Sequence, residues 1–496
     1  MTTVQDRMAR GAAWMFSARW LDKVLGLVST LVLARLLVPG DFGLVAIATA
    51  FIALLALLTN FSFDVALVQH HNPTREHYDT VWSIGISFGA VLAAALAMLA
   101  LPLASFYAEP RLTAVILVLA LSAFVGSLRN VGCVDFLRDL HFHKEFMLSM
   151  ARRLVALPIT IGLAVWLRSY WALVIGTLVS TAIGTALTYA MHPFRPRWSL
   201  TRKSELFAFS KWLFVNNLLN FVSTRAGDFI IGKLRGPHDL GLFSLANELG
   251  SLPSTELVAP INRAAFPGYS RLASDRPELI RTYLRVIGIV AMVSLPTGVG
   301  ISVTAPLVVP LLLGAQWTDA IPLLQFLAIA GCLTALWTNT QYVLLALGKA
   351  RKVTILVAVQ AATTVAFLVG FLMLELPNGI GWAMLAAATT VALPNLYLWR
   401  TELSIPLHRA LLGLWRPALG CVVMAAVVLS LRHAIGPLSS TSDELIALGA
   451  CVVAGAVTYI AVVLGAWWIS ARPVGAESFA LETARKVLTR VRLKTS

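Results

Sequence analysis

The 496-residue chain is 58% hydrophobic and 13% charged, with a mean hydropathy of +0.79, a balance that excludes a soluble globular domain. Its net charge of +15 falls mostly in the gaps between apolar runs, as the positive-inside rule requires, which argues against a nucleic-acid partner. The short alternating segments of a membrane β-barrel are absent from the sequence.

Arg7 and Arg10 precede the first apolar run much as in a signal peptide. Arg19, Asp22 and Lys23 interrupt that run, however, and no small-residue cleavage site follows, so it reads as a retained first helix. Hydropathy windows predict helices near 12–34, 42–63, 80–101, 112–130, 151–167, 171–190, 210–231, 241–262, 284–304, 320–346, 353–375, 380–399, 417–434 and 444–469. The expectation is an all-α integral membrane protein of about fourteen transmembrane helices. Alternate loops carry the cations: Arg138 to Arg153, Arg195 to Lys203, Arg263 to Arg285, Lys349 to Lys352, and Arg400 to Arg416. These loops and both termini are therefore expected in the cytoplasm, with Arg35, Lys233 and Arg235 as exceptions on the other side.

An internal repeat is visible. Trp14, Phe16, Leu21, Val24, Leu36, Pro39, Asp41, Gly43, Leu44 and Ala48 align without a gap on Trp212, Phe214, Leu219, Val222, Leu234, Pro237, Asp239, Gly241, Leu242 and Ala246. The copies begin six predicted helices apart, which gives two parallel six-helix lobes, 1–208 and 209–400. Two extra helices follow over 401–471, then a basic amphipathic tail over 472–496. A turn signal of the form PxDxGL, arising twice by convergence, is the alternative. Four scattered cysteines, Cys133, Cys332, Cys421 and Cys451, read as free thiols.

Several segments carry a family likeness. They are LARLLVPGDFGLVA at 33–46, WALV at 171–174, GDFIIGKLRGPHDLGLFSLA at 227–246, Leu252-Pro253, and FPGYSRL at 266–272. Together they resemble the Wzx-type oligosaccharide flippases of the multidrug/oligosaccharidyl-lipid/polysaccharide exporter superfamily, the branch serving exopolysaccharide and O-antigen export. Past residue 353 the likeness is only hydropathic. The resemblance implies a V-shaped pair of lobes, alternating access, and movement of an undecaprenyl-diphosphate-linked repeat unit toward the periplasmic leaflet of a bacterial inner membrane. It also implies as partners the lipid-linked oligosaccharide, membrane lipids, and a polysaccharide polymerase with its export machinery.

Charges inside membrane spans are costly, so those present need a reason. Arg19, Asp22 and Lys23 share one helical face with Gly26 and Thr30, and the seventh predicted helix carries a matching stripe of Asn217, Asn220, Thr224 and Asp228, with Arg225 at its margin. Guanidinium and ammonium groups suit phosphate oxygens, while Asn and Thr suit sugar hydroxyls, so these residues are candidates for a net cationic lumen. The structural alternatives are snorkelling of Arg19 and Lys23 with Asp22 paired to one of them, and an Arg225–Asp228 ion pair. Glu248 and Asp64 are the acidic candidates for coupling to a proton or sodium ion; no other cofactor is expected. Asn339 and Gln341 fit either a cavity wall or hydrogen bonding between helices. His141 and His143 lie among Arg138 and Lys144, in a spacing that matches no standard metal motif. From Glu477 to Lys494 the pattern is that of a basic helix lying on the membrane surface.

Two other readings compete. A drug or metabolite antiporter of the same superfamily predicts an apolar cavity with a coupling carboxylate. A membrane polymerase or ligase predicts a long external loop, which the sequence lacks, and no P-loop or HExxH motif occurs. The GxSxG string at Gly85, Ser87 and Gly89 lies inside a predicted span, where no strand-to-helix elbow can form, so a non-enzymatic role is expected.

Overall fold

A computed structural model describes residues 4–59, 67, 73–139, 141–436, 440–473, 475–479 and 482. Side chains of 4–13, 15–19, 58–59, 203–220, 223 and 407–412 lie outside that description. The regular secondary structure of the described residues is all helical, without a strand. Among the described residues ten helices are long and apolar enough to cross a membrane, and Arg111–Ser127 with Val131–Arg138 makes a further apolar pair bent by 68°, a broken span or a re-entrant loop. The chain divides into two compact units, Met1–Gly241 and Leu242–Ser496.

The first unit contains α1 (Val4–Leu36), α2 (Pro39–Thr59), α3 (Arg75–Tyr107), α4 (Arg111–Ser127), α5 (Phe142–Leu167), α6 (Trp171–Met191) and most of α7 (Lys203–Gly250). Helix α1 packs on α5, α5 on α6, α6 on α4, and α4 on both α2 and α3. The family-like segments supply much of the buried packing: Leu33, Ala34, Leu37 and Leu44 from the first, Ala172 and Val174 from the second. After α6, the extended stretch 192–202 is held on the start of α3. There the side chains of Asp79, Ser83 and Thr80 accept from the backbone N–H groups of Arg197, Ser199 and Arg202. These acceptors satisfy amides that no helix would.

Two predicted boundaries move. Helix α5 starts at Phe142 rather than near 151, which moves Arg152 and Arg153 from the edge of the predicted span, where they count with the loop charge, into the helix interior. The seventh predicted helix and the first half of the eighth form one helical run, α7, broken only at Gly236, whose φ of 80° precedes Pro237, while the rest of the eighth falls in the π-helical turn and α8. That break is the second copy of the turn whose first copy joins α1 to α2. The two copies meet reciprocally. A side chain at Gly43 would collide with the carbonyl oxygen of Pro237 and come within 2.9 Å of Gly241 N; one at Gly241 would collide with the carbonyl oxygen of Pro39 and come within 3.0 Å of Gly43 N. Only glycine permits such backbone contact.

The second unit contains a π-helical turn (Pro253–Val258), α8 (Ala259–Arg271), α9 (Arg276–Leu312), α10 (Ala320–Ala346), α11 (Ala350–Met373), α12 (Gly379–Thr390), α13 (Ala392–Glu402), α14 (Leu407–Ile435) and α15 (Thr441–Ile469). Helix α10 packs on α8, α9 and α12, and the α14–α15 hairpin packs on α9. A buried polar network ties the unit together. Asn339 donates to Asn262 at 2.6 Å, Asn262 donates to Thr338 at 3.0 Å, and Tyr269 donates to Asn339 at 3.0 Å. Beside it, Thr340 bonds Tyr283 at 2.9 Å and accepts from Trp399 at 3.1 Å. Asn339 therefore bonds between helices, the alternative to lining a cavity.

The start of the expected surface tail is different from the prediction. Glu477 is only 4% exposed and pairs with Arg416 of α14 at 2.8 Å, because the chain after α15 folds back into the second unit. The remainder of the tail, 483–496, lies outside the described residues.

Candidate functional site

Of the first-helix stripe, Asp22 and Lys23 are half-buried, and the Arg19 side chain lies outside the described residues. Asp22 accepts from Arg153 Nε of α5 at 2.9 Å, and the same guanidinium reaches the Asp22 backbone carbonyl at 3.4 Å. One turn further along, Gly26 leaves room for it: a Cβ there would lie 2.9 Å from Arg153 Nη2. Asp22 is thus partnered by Arg153, which hydropathy alone counts with the charges of the preceding loop. The helical periodicity of Phe142, Phe146 and Met150 is the sequence signal that would have brought Arg153 inside the helix.

The pair is not deeply buried. Side-chain exposures of 36% for Arg153 and 39% for Asp22 leave part of each group uncovered by protein. The Arg153 guanidinium is of the kind that suits phosphate oxygens.

On α7, the backbone at Asn217 and Asn220 is helical, but their side chains lie outside the described residues. Arg225 donates to Asp228 at 3.0 Å across one helical turn. Asp228 is buried, whereas the Arg225 side chain is 49% exposed, so the carboxylate anchors the pair and the guanidinium and Thr224 face outward. Around them, Phe51 packs on Phe229 with centroids 4.9 Å apart and on Tyr107 at 5.9 Å, giving the stripe an aromatic flank.

Charges at the turn end of the same unit form a separate group. Lys233 sits 4.1 Å from the Phe106 ring centroid, and Arg111 donates two hydrogen bonds to Glu109. These bonds hold the Glu109 carboxyl below its usual range, because they stabilise the ionised form.

Glu248 is half-buried near the end of α7, in the second unit, and Asp64 lies outside the described residues. His141 and His143 stack edge to face at 5.9 Å, and no set of three metal-binding side chains converges among the described residues. Ser87 lies within α3 and donates to the carbonyl of Ser83 at 2.8 Å, the behaviour of a helix-interior serine rather than of a nucleophile at an elbow. All four cysteines are free.

Comparison with known proteins follows the same lines. A family model described as polysaccharide biosynthesis protein matches residues 32–322. The lipopolysaccharide biosynthesis protein WzxC of Escherichia coli is 25% identical over 339 residues, which cover 67% of this chain and 68% of that protein. The succinoglycan biosynthesis transport protein ExoT of Rhizobium meliloti is 25% identical over 461 residues, 92% of each chain. Among solved structures, the lipid II flippase MurJ in an inward closed conformation superposes with a TM-score of 0.71 at 13% identity, covering 92% of this chain and 100% of that one. At that identity the superposition establishes a common fold.

Proposed function

Because the chain belongs to the polysaccharide biosynthesis protein family and is a multi-pass membrane protein, we propose that it flips a lipid-linked oligosaccharide from the cytoplasmic to the periplasmic leaflet of a bacterial inner membrane. The observation that supports the reading is the half-buried Asp22–Arg153 ion pair, next in sequence to Lys23, charged groups held inside a membrane protein where charge is costly. A diphosphate headgroup would use those cations, and its sugars would use Thr224, Asn217 and Asn220.

Undecaprenyl diphosphate is the carrier we propose, with the repeat unit feeding exopolysaccharide or O-antigen assembly by a separate polymerase and export machinery. Movement follows alternating access of two six-helix lobes, 1–208 and 209–400, within fourteen helices whose two extra members cover 401–471. The reciprocal turn contact supports the two-lobe arrangement, since each copy of the repeat meets the other in the same way. Both termini lie in the cytoplasm in this scheme, and Glu248 or Asp64 couples transport to a proton or sodium ion. A drug antiporter is the second reading, and the charged Asp22–Arg153 pair disfavours it, because an apolar cargo has no use for such charges.

Deletion of the gene tests the proposal. Leaflet-selective labelling of spheroplasts should find completed lipid-linked oligosaccharide accumulating on the cytoplasmic side. Unfinished oligosaccharide, flipped normally, would contradict it and indicate an enzyme.

A further inference from the structure

A cavity of about 160 Å³ lies wholly within the second unit, bounded by the end of α7 and by α10, α11 and α12. Its polar lining consists of Asn247, Ser251, Ser254, Thr334, Gln360 and Thr364. Thr334 and Gln360 fall near the middles of α10 and α11, so the cavity sits at mid-span depth. Six polar side chains facing one recess at that depth are a concentration that ordinary packing between helices does not require.

The hydrogen bonding says what the recess can hold. All four hydroxyls already donate to backbone carbonyls three or four residues earlier: Ser251 to Glu248 O, Ser254 to Ser251 O, Thr334 to Ala330 O and Thr364 to Gln360 O, at 2.8–3.2 Å. Their oxygens keep lone pairs and act as acceptors. The Asn247 and Gln360 carboxamides make no hydrogen bond with a protein group among the described residues, so both N–H donors and a carbonyl acceptor on each remain available. The lining includes no charged side chain, which leaves a phosphate or a divalent cation without a counter-charge.

The walls are fixed rather than yielding. Gly250 lies directly on the α10 backbone, where a Cβ would come within 2.9 Å of the Leu327 carbonyl carbon. The chain then widens into the π-helical turn Pro253–Val258, a feature that recurs at functional sites. The volume accommodates about five waters, or one six-membered ring carrying hydroxyls at its edge.

We propose that this recess binds one uncharged sugar ring of the lipid-linked oligosaccharide and is a specificity-determining subsite separate from the cationic stripe. The inference rests on the flippase reading above. The Asn247 and Gln360 amides each pair a donor with an acceptor, the complement of adjacent hydroxyls on a sugar. A site built this way discriminates by hydroxyl pattern, because a substrate lacking the hydroxyl leaves the amide unpaired.

Initial-rate translocation of the native lipid-linked oligosaccharide into inverted membrane vesicles tests the subsite with Asn247→Ala, Gln360→Ala and the double variant. Gln360→Met, nearly equal in volume, separates lost bonding from lost packing. The expected result is an apparent KM raised about five- to tenfold per amide removed, with Vmax per molecule and membrane abundance held, and Gln360→Met matching Gln360→Ala. An unchanged KM in the double variant, with wild-type vesicles active, overturns the subsite. A changed sodium dependence at constant KM overturns it in favour of a cation site. Inactive wild-type vesicles would instead remove the flippase reading itself.

Discussion

Gly43→Ala is expected to deplete the folded protein in the membrane severalfold, whereas Gly40→Ala in the same turn leaves it at the wild-type level. The two glycines differ in what surrounds them: a Cβ at Gly40 meets nothing within 4 Å, while one at Gly43 meets the backbone of Pro237 and Gly241. Side chains can change rotamer to escape a new methyl group, but backbone of the opposing copy of the turn can move only if the helices it joins move too. Overpacking of this kind costs about 1–3 kcal/mol, and more where nothing yields. A loss of that size changes steady-state abundance severalfold. Gly241→Ala should match Gly43→Ala, because the contact is reciprocal. Immunoblotting of membranes, with thermal stability of the detergent-solubilised protein, reads both effects; wild-type stability in Gly43→Ala would remove the turn contact from the account.

The second large effect concerns transport rather than folding. Arg19→Ala and Lys23→Ala should each weaken substrate binding by about ten- to a hundredfold, the value of one charge-assisted hydrogen bond to a diphosphate, roughly 1.5–3 kcal/mol. Polymer export normalised to membrane protein should fall accordingly. Arg19→Lys should keep part of the activity, since charge survives while the planar fork is lost. Arg153→Ala removes a cation and also strips Asp22 of its partner, so the double variant Asp22→Asn/Arg153→Ala separates the two roles. At the exposures of this pair its contribution to stability is about 1 kcal/mol or less. The double variant should therefore be abundant and yet transport poorly. Undiminished normalised export in Arg19→Ala/Lys23→Ala would show that these residues are interfacial anchors.

Much of this organisation was legible in the sequence because apolar runs and Pro/Gly turns are local signals. The runs marked the helices, and the repeat of Pro39, Asp41 and Gly43 at Pro237, Asp239 and Gly241 marked the two turns that meet in the structure. What hydropathy could not reveal was pairing. Arg153 fell at the edge of its predicted span and counted with the loop charge, because averaging over a window starts a helix at its first strongly apolar stretch, and Phe142 to Met150 mixes His, Lys and Glu with its apolar residues. Glu477 looked like part of a surface helix for a related reason: an acidic residue in a basic tail gives no sign that Arg416, far away in the chain, will bury it. Asn339 could have lined a cavity or bridged helices, and only its bonds to Asn262 and Tyr269 distinguish the two. The six polar residues of the second-unit cavity are individually unremarkable serines, threonines and amides in three stretches of chain, 247–254, Thr334 and 360–364, and spacing within each stretch gives no sign that the three converge.

The central claim is that this chain alone moves a lipid-linked oligosaccharide between leaflets. Purified protein reconstituted in liposomes containing a fluorescent undecaprenyl-diphosphate-linked oligosaccharide tests it, with a membrane-impermeant reductant quenching only the outer leaflet. The account predicts that quenching passes the plateau seen in protein-free liposomes as inner-leaflet substrate is flipped outward, and that Arg19→Ala/Lys23→Ala slows this second phase. A plateau unchanged by wild-type protein, with and without a proton or sodium gradient, would contradict it.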